Sequence, residues 1–264
     1  MRNFSNTIKH VGGLVLARNK TVFAFERCVF LLAHMRSCST ALSYVMCSRR
    51  EVSGYGEAHI QYGDRNAIGR LALNQFRHGS FKLGADFFFD KILHTRLDET
   101  VPPEFFRSRA VFAFREPVST IHSILQLYES IGRKQYRTVE AAAGYYIERM
   151  ERLSELWDQF PIDRRCGLTH ARLLAQPDYV LGRLSDNLGF NPPLQNTYMR
   201  PPQLGSANRG DPLKTMRHDR IVSSVADNSD IKVRAAIAPE ILQAAEKSYW
   251  ALHGRVEKEW PDLV

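Results

Sequence analysis

Cysteine is scarce in this sequence, and a long apolar run is missing from it. The four cysteines, at positions 28, 38, 47 and 166, have neither the paired spacing of a zinc site nor the density of a disulfide-rich secreted domain. We therefore expect reduced thiols, no bound metal ion and a cytoplasmic location. The apolar stretch at residues 11–17 is too short to span a bilayer and lacks a clear cleavage site, so we predict neither a signal peptide nor a membrane anchor.

Acidic residues are in the minority. The 28 Asp and Glu residues are outnumbered by 36 Lys and Arg residues, which gives a net charge of +8 and a pI near 9.4. Such a surplus suits an anionic nucleotide, a nucleic acid or an anionic membrane surface. Because the basic residues are spread along the chain, we favour a concave anion site and expect no nucleic-acid partner. A basic, non-catalytic nucleic-acid-binding protein is the alternative from another class.

Apolar runs with the character of buried strands alternate with segments of helical period. The runs cover residues 28–33, 86–89, 110–114 and 165–169. This order predicts an α/β fold, with a central parallel sheet flanked by helices and ligands at the carboxyl ends of the strands. Two long helices, at residues 138–160 and 239–257, are predicted as packing elements. No linker divides residues 1–264 into two cores, which predicts a single domain.

The first predicted strand runs directly into a polar loop at the start of a helix. This loop, Arg-Ser-Cys-Ser-Thr at residues 36–40, is called the phosphate loop below. Backbone N–H groups, hydroxyls and the helix dipole would act there together on one bound anion. The glycine pair and the lysine of the nucleoside-triphosphate loop are absent from it. Their absence disfavours a nucleotide kinase of related topology, which stays an alternative.

A second strand-to-helix joint has matching chemistry. Arg115 follows the strand at residues 110–114, Pro117 suits a first helical turn, and Ser123 lies eight positions beyond Arg115. A cation at the end of a strand and a hydroxyl two helical turns later are able to converge on a single phosphate. The sequence thus contains two candidate phosphate sites.

The two joints resemble those of the sulfotransferases that use 3′-phosphoadenosine 5′-phosphosulfate (PAPS). The family's first motif, R-S-G-[ST]-T, is matched by Arg36, Ser37, Ser39 and Thr40, with Cys38 in place of the glycine. Its second motif, in which a proline and later a serine follow the arginine, is matched by Arg115 and Ser123.

The resemblance implies a sulfotransferase fold of the P-loop nucleoside-triphosphate-hydrolase type. It implies that residues 28–48 and 110–128 bind PAPS without a metal, and that adenosine 3′,5′-bisphosphate is the product. In that family the second motif binds the 3′-phosphate, and Arg36 together with the loop amides would offset charge on the leaving phosphate.

Two residues compete for the role of general base. His94 lies where cytosolic small-molecule sulfotransferases have the histidine of K-T-H-L-P, and an ordinary imidazole suits removal of a hydroxyl proton at neutral pH. Glu57 lies where tyrosylprotein sulfotransferases have the base of G-E-E-T-R. His59 is a candidate acceptor contact. The sequence leaves the choice of base open, and it also leaves the hydroxyl-bearing acceptor open among peptide tyrosine, glycan, lipid and small alcohol.

The later part of the chain resembles the family less closely. Residues 191–212 are rich in Pro and Gly, and a loop of that length in a compact domain is functional or disordered. Arg209 and Gly210 are candidate counterparts of the basic-Gly loop that closes over the cofactor in the family. His170 begins the three residues that replace the family's Y-E-D, so any contact made through that tyrosine is in doubt.

Overall fold

The computed structural model describes residues 23–199, 218–222 and 230–264. Arg209 and Gly210, the candidate cofactor contacts of the late loop, lie outside the described residues. Their assignment therefore stays a prediction.

A five-stranded sheet forms the centre of the fold, and its strand pairs are all parallel. Its strands are β1 (Cys28–Ala33), β2 (Val52–Ser53), β3 (Phe87–Ile92), β4 (Arg109–Phe114) and β5 (Arg165–Thr169). They lie in the order β2-β3-β1-β4-β5, which places β1 in the middle. The prediction of an α/β fold with a central parallel sheet is confirmed.

Helices flank this sheet. They are α1 (Ser39–Cys47), α2 (Ala67–Arg77), α3 (Thr95–Asp98), α4 (Pro117–Ser130), α5 (Val139–Gln159), α6 (His170–Ala175), α7 (Pro177–Leu188), α8 (Asp230–Ala236) and α9 (Pro239–Glu259). The two predicted long helices correspond to α5 and α9. Within the described part of the chain, no helix combines the length and the apolar character that crossing a bilayer requires.

The predicted strands are confirmed. These apolar runs form strands of a parallel sheet because helices bury them; every residue of β1, for example, is buried. β3 is the exception in length, since it continues beyond its predicted end at residue 89 to Ile92. Its extra residues include Asp90 and Lys91, whose charges interrupt the apolar pattern but whose side chains find polar partners inside the fold. The two-residue strand β2 was not predicted.

Gly167 in β5 shows how closely the outer helices approach the sheet. A Cβ atom added there would lie 2.7 Å from Val256 of α9 and 2.9 Å from Trp157 of α5. Only a residue without a side chain fits this gap, so the glycine sets the spacing between β5 and the two long helices.

The topology places a ligand crevice at the middle of the sheet. After β1 the chain moves to β2 and β3 on one side, and it then crosses over to β4 and β5 on the other. In open parallel sheets, ligands bind at the carboxyl ends of the strands where the connections diverge. That point lies between β1 and β4, whose carboxyl ends lead into the two candidate phosphate sites.

Candidate functional site

The phosphate loop has an unusual backbone conformation. Arg36 and Cys38 have positive φ angles of 69° and 66°, and Ser39 then begins α1. A left-handed residue followed by a helical one turns successive N–H groups toward a common point, which makes an anion-binding concavity. The first N–H groups of α1 also have no partner within the helix and add to it. Cys38 adopts the conformation that glycine adopts most easily, at a cost of about 1–2 kcal/mol for a residue with a side chain.

The hydroxyl groups of the loop have different partners. The Ser37 hydroxyl is fully buried and donates to the His34 carbonyl at 2.9 Å, so it braces the loop from within. The Thr40 hydroxyl accepts a hydrogen bond from the Nζ of Lys91 at 3.2 Å. Ser39 is buried, and its carbonyl accepts a hydrogen bond from Ser43.

Lys91 is a functional candidate that the sequence reasoning missed. It belongs to β3, the neighbour of β1 in the sheet, and only 5% of it is exposed. Although the loop itself has no lysine, Lys91 brings an ammonium group to Thr40 from the adjacent strand. The available signal was a lysine inside a run of buried strand residues, where an ammonium requires a partner.

The second phosphate site meets the first. Arg36 donates from Nε to the Ser123 hydroxyl at 2.8 Å, and Arg115 lies with Nη1 3.5 Å from the Arg36 carbonyl. Glu116 caps α4 by accepting from the backbone N–H of Ser119 at 3.2 Å. The structure thus brings Arg36, Arg115 and Ser123 together, although they come from two separate parts of the chain.

His34 joins the two phosphate sites through its imidazole ring. Its Nε2 accepts a hydrogen bond from the backbone N–H of Arg115 at 2.9 Å, so the ring proton lies on Nδ1 and is donated to the Met35 carbonyl at 2.7 Å. Burial lowers the pKa of His34 to about 4. The ring is therefore neutral near pH 7, which is the form that this pair of hydrogen bonds requires.

Two tyrosines of α5 hold the same edge of the sheet. The Tyr145 hydroxyl accepts from the backbone N–H of Met35 and donates to the Leu93 carbonyl, both at 2.8 Å. The Tyr146 hydroxyl donates to the Arg115 carbonyl at 2.8 Å. The helix predicted only as a packing element therefore also positions the loops that follow β1, β3 and β4.

Arg149, one turn further along α5, completes this support. It is fully buried and donates to the carbonyls of Ala33 at 3.0 Å and Ile92 at 2.9 Å, the last residues of β1 and β3. Its Nη1 also contacts both carboxylate oxygens of Asp98 at 2.8 and 2.9 Å. Because Asp98 ends α3, this ion pair fixes the short helix that follows His94.

The two candidate bases are neighbours. The Nε2 of His94 lies 3.9 Å from Oε1 of Glu57, and the Nδ1 of His59 lies 3.2 Å from the same oxygen. That oxygen is buried and has no hydrogen-bond partner among the described residues. Burial lowers the pKa of His94 to about 4, against the opposing effect of the Glu57 carboxylate. The geometry permits one residue to take a proton while the other stabilises the resulting charge.

Asp90 holds the segment that carries Glu57, which we call the Glu57 loop (residues 54–62). One oxygen of Asp90 accepts from the backbone N–H of Ala58 at 2.8 Å, and the other accepts from the Tyr62 hydroxyl at 2.6 Å. Burial raises the pKa of Asp90 to about 7, although these hydrogen bonds favour the ionised form. His59 has a positive φ of 55°, so the loop also contains a strained residue beside the bases.

His170 also lies close to the phosphate sites. Phe114 and Thr169 are paired in the sheet, so Arg115 and His170 leave neighbouring strands at the same edge. Burial and, after it, the positive charge of Arg115 lower the pKa of His170 to about 3. A neutral imidazole therefore lies beside the two candidate phosphate sites.

Comparison with known proteins identifies the fold. No protein-family model matches the sequence, and no curated protein matches it either. The structure is similar to the sulfotransferase domain from the curacin biosynthetic pathway, with a TM-score of 0.56 and 18% identity over 85% of this chain and 96% of that one. It is also similar to the sulfotransferase domain from the Synechococcus PCC 7002 olefin synthase, with a TM-score of 0.55 and 18% identity over 83% of this chain and 93% of that one. The chain thus has the fold of sulfotransferase domains, as its two motifs implied.

Proposed function

We propose that this protein is a sulfotransferase that takes the sulfuryl group from PAPS and transfers it to a hydroxyl-bearing acceptor. The observation that carries the proposal is the contact between the two phosphate sites, where Arg36 donates to Ser123 and Arg115 lies beside Arg36. Two anion sites that meet at the divergence point of a parallel sheet suit a nucleotide with phosphates at both ends of its ribose. The fold of sulfotransferase domains supports the same conclusion.

The chemistry of the donor groups fits such a nucleotide. Arg115 and Ser123 would hold the 3′-phosphate, while Arg36, Lys91 and the backbone N–H groups of residues 37–40 would hold the 5′ end. Arg209 and Gly210 stay candidates for closing the site. Bound PAPS would supply an activated sulfuryl group together with its bisphosphate leaving group.

Arg36 and Lys91 provide the positive charge for the transfer step. One reaches the site from the phosphate loop and the other from β3, so two cations approach the anion from different strands. Fixed charges in a partly buried site stabilise developing negative charge without having to reorganise first. No lysine in the loop is needed for this role.

His94 is the proposed general base, and Glu57 is its partner. Burial lowers the pKa of His94 to about 4, which keeps the imidazole neutral at pH 7 but makes it a weaker base than an ordinary histidine, so the opposing effect of the Glu57 carboxylate is needed for it to take the proton of the acceptor hydroxyl. The carboxylate 3.9 Å away would then stabilise the imidazolium. The division of roles resembles that of other histidine bases that are oriented and stabilised by a carboxylate.

Calorimetry with adenosine 3′,5′-bisphosphate and with ATP tests the proposal. We expect the bisphosphate to bind at least about tenfold more tightly than ATP, because the loss of a charged hydrogen-bonding partner costs about 1.5–3 kcal/mol. Arg115→Ala should weaken binding of the bisphosphate by a similar factor. Arg50→Ala is the matched control, since Arg50 is exposed and is not part of the site.

Transfer from radiolabelled PAPS to a panel of acceptors completes the test. Equal affinity for ATP and the bisphosphate would instead favour a nucleotide kinase. Strongly salt-dependent binding of nucleic acid, with no transfer to any acceptor, would favour the nucleic-acid-binding alternative.

A further inference from the structure

A cavity of about 1080 Å³ lies next to the proposed bases. The Glu57 loop contributes Ala58 and His59 to its wall, and Arg96 contributes from α3, directly after His94 in the chain. His94 and Glu57 are not themselves among the described residues of its wall, and the cavity adjoins them through His59, whose Nδ1 lies 3.2 Å from Oε1 of Glu57. It is at the upper end of the sizes found for small-molecule sites, so it has room for more than one ring.

Polar and apolar groups share the wall of this cavity almost equally. Its hydrogen-bonding groups include the amides of Gln61 and Asn74 and the imidazoles of His59 and His78. Among the described residues that line it, there is no Phe, Tyr or Trp. An aromatic ring would find no aromatic side chain to stack on there, whereas a polyhydroxylated ring would find hydrogen-bond partners in Gln61 and His59.

The charges in the wall favour an anionic ligand. Arg70 is occupied, because its Nη1 contacts both oxygens of Asp64 at 3.0 and 2.9 Å. Arg77 and Arg96 also line the cavity, and neither has an ion-pair partner among the described residues. Glu99 is the remaining acidic residue of the wall. Among the described residues of the wall, two guanidinium groups outside any ion pair thus outnumber one carboxylate, and guanidinium is well suited to bind carboxylate or sulfate.

We propose that this cavity is the acceptor site and that its acceptor is an acidic carbohydrate, a sugar that carries carboxylate or sulfate groups. Arg77 and Arg96 bind the anionic groups, the amides and imidazoles bind hydroxyls, and one hydroxyl reaches His94 and Glu57. The strained backbone of His59 lies where the cavity meets the bases, as expected of a residue held in place for function. This inference rests on the proposed sulfotransferase function.

The test compares three acceptors under saturating PAPS: a glucuronate-containing tetrasaccharide, a neutral glucose tetrasaccharide, and an acidic peptide with one tyrosine. We expect the acidic saccharide to have the highest kcat/KM. Arg77→Ala and Arg96→Ala should each raise its KM about tenfold with little change in kcat or in bisphosphate affinity. Arg77→Lys should restore part of the loss, and Arg50→Ala should change nothing.

A preference for the neutral saccharide or for the peptide would overturn the acceptor assignment, as would an unchanged KM in both alanine variants. Those outcomes leave the sulfotransferase function standing, because the enzyme would still bind the bisphosphate and transfer sulfuryl groups. Failure to bind the bisphosphate would overturn the function and this inference together.

Discussion

The two sides of the proposed site are built differently. On the nucleotide side, His34 joins the two phosphate sites, and α5 bonds to the backbone at the ends of three strands. On the acceptor side, the Glu57 loop is tied to β3 chiefly by Asp90, and His59 in that loop is strained. Oε1 of Glu57 is buried there, and it has no hydrogen bond to any residue in the described part of the chain.

The difference suits the two ligands. A nucleotide always presents the same groups, so a rigid site binds it more tightly. Donors that are already fixed lose little conformational entropy when the nucleotide binds. An acceptor site must leave polar groups unsatisfied until the substrate supplies their partners. Substitutions that remove these bracing hydrogen bonds on the nucleotide side should therefore reduce stability, and substitutions of the polar groups on the acceptor side should reduce activity.

The largest expected effect is on stability, from Arg149→Met. The change removes the Nη1 that contacts both oxygens of the buried Asp98 carboxylate, which leaves Arg152 at 3.7 Å as its neighbouring cation, and it removes the bonds to the ends of β1 and β3. We expect the free energy of unfolding to fall by about 3–5 kcal/mol, measured by urea denaturation. Arg255→Met is the control, because its ion pair with Asp158 is exposed and should contribute less than about 1 kcal/mol. Equal losses in the two variants would contradict a supporting role for Arg149.

The next effect is on turnover without loss of stability. His94→Ala should reduce kcat by about 10²–10⁴-fold, since that is the usual contribution of a general base. Glu57→Gln should reduce kcat by only about tenfold, because the imidazole would lose the stabilising charge and keep its proton-accepting nitrogen. Affinity for the bisphosphate and the urea midpoint should stay unchanged in both. If Glu57→Gln is inactive and His94→Ala keeps a near-normal kcat, the two roles are reversed.

The smallest expected effect concerns the phosphate loop, in which Cys38 has a positive φ. Cys38→Gly should raise the free energy of unfolding by up to about 1 kcal/mol, because glycine adopts a φ of 66° without strain while its larger unfolded-state entropy offsets part of the gain. Cys38→Ala is the matched control, since alanine keeps the strain. Urea midpoints of the two variants measure the difference. A glycine variant less stable than the alanine variant would show that the strain at this φ costs less than the entropy that glycine gains in the unfolded state.

Much of the nucleotide side was predictable from the sequence. The runs at 28–33 and 110–114 are apolar and lead into polar joints, so both the strands and the phosphate sites could be located. The contact between Arg36 and Ser123 could not, because it depends on how two joints from adjacent strands face each other. Periodicity likewise placed Arg149 on the buried face of its helix, but it does not reveal that a guanidinium binds main-chain carbonyls.

The acceptor side was harder to predict for a physical reason. The Glu57 loop has little regular structure, and its direction depends on Asp90, a charged residue inside an apolar strand. The positive φ of His59 could not be predicted, because the residue at this position is not a glycine. For these reasons Glu57 and His94 could be named as rivals, but their position side by side could not be foreseen.

The bonds made by α5 also bear on folding. Arg149 reaches back 116 residues to Ala33 and 57 residues to Ile92, and Tyr145 reaches back 110 residues to Met35. Contacts between such distant parts of the chain exist only in the folded protein, because closing long loops costs entropy. The phosphate loop is therefore braced only while α5 is docked. Loosening of α5 should reduce nucleotide affinity even where the strands of the sheet stay paired.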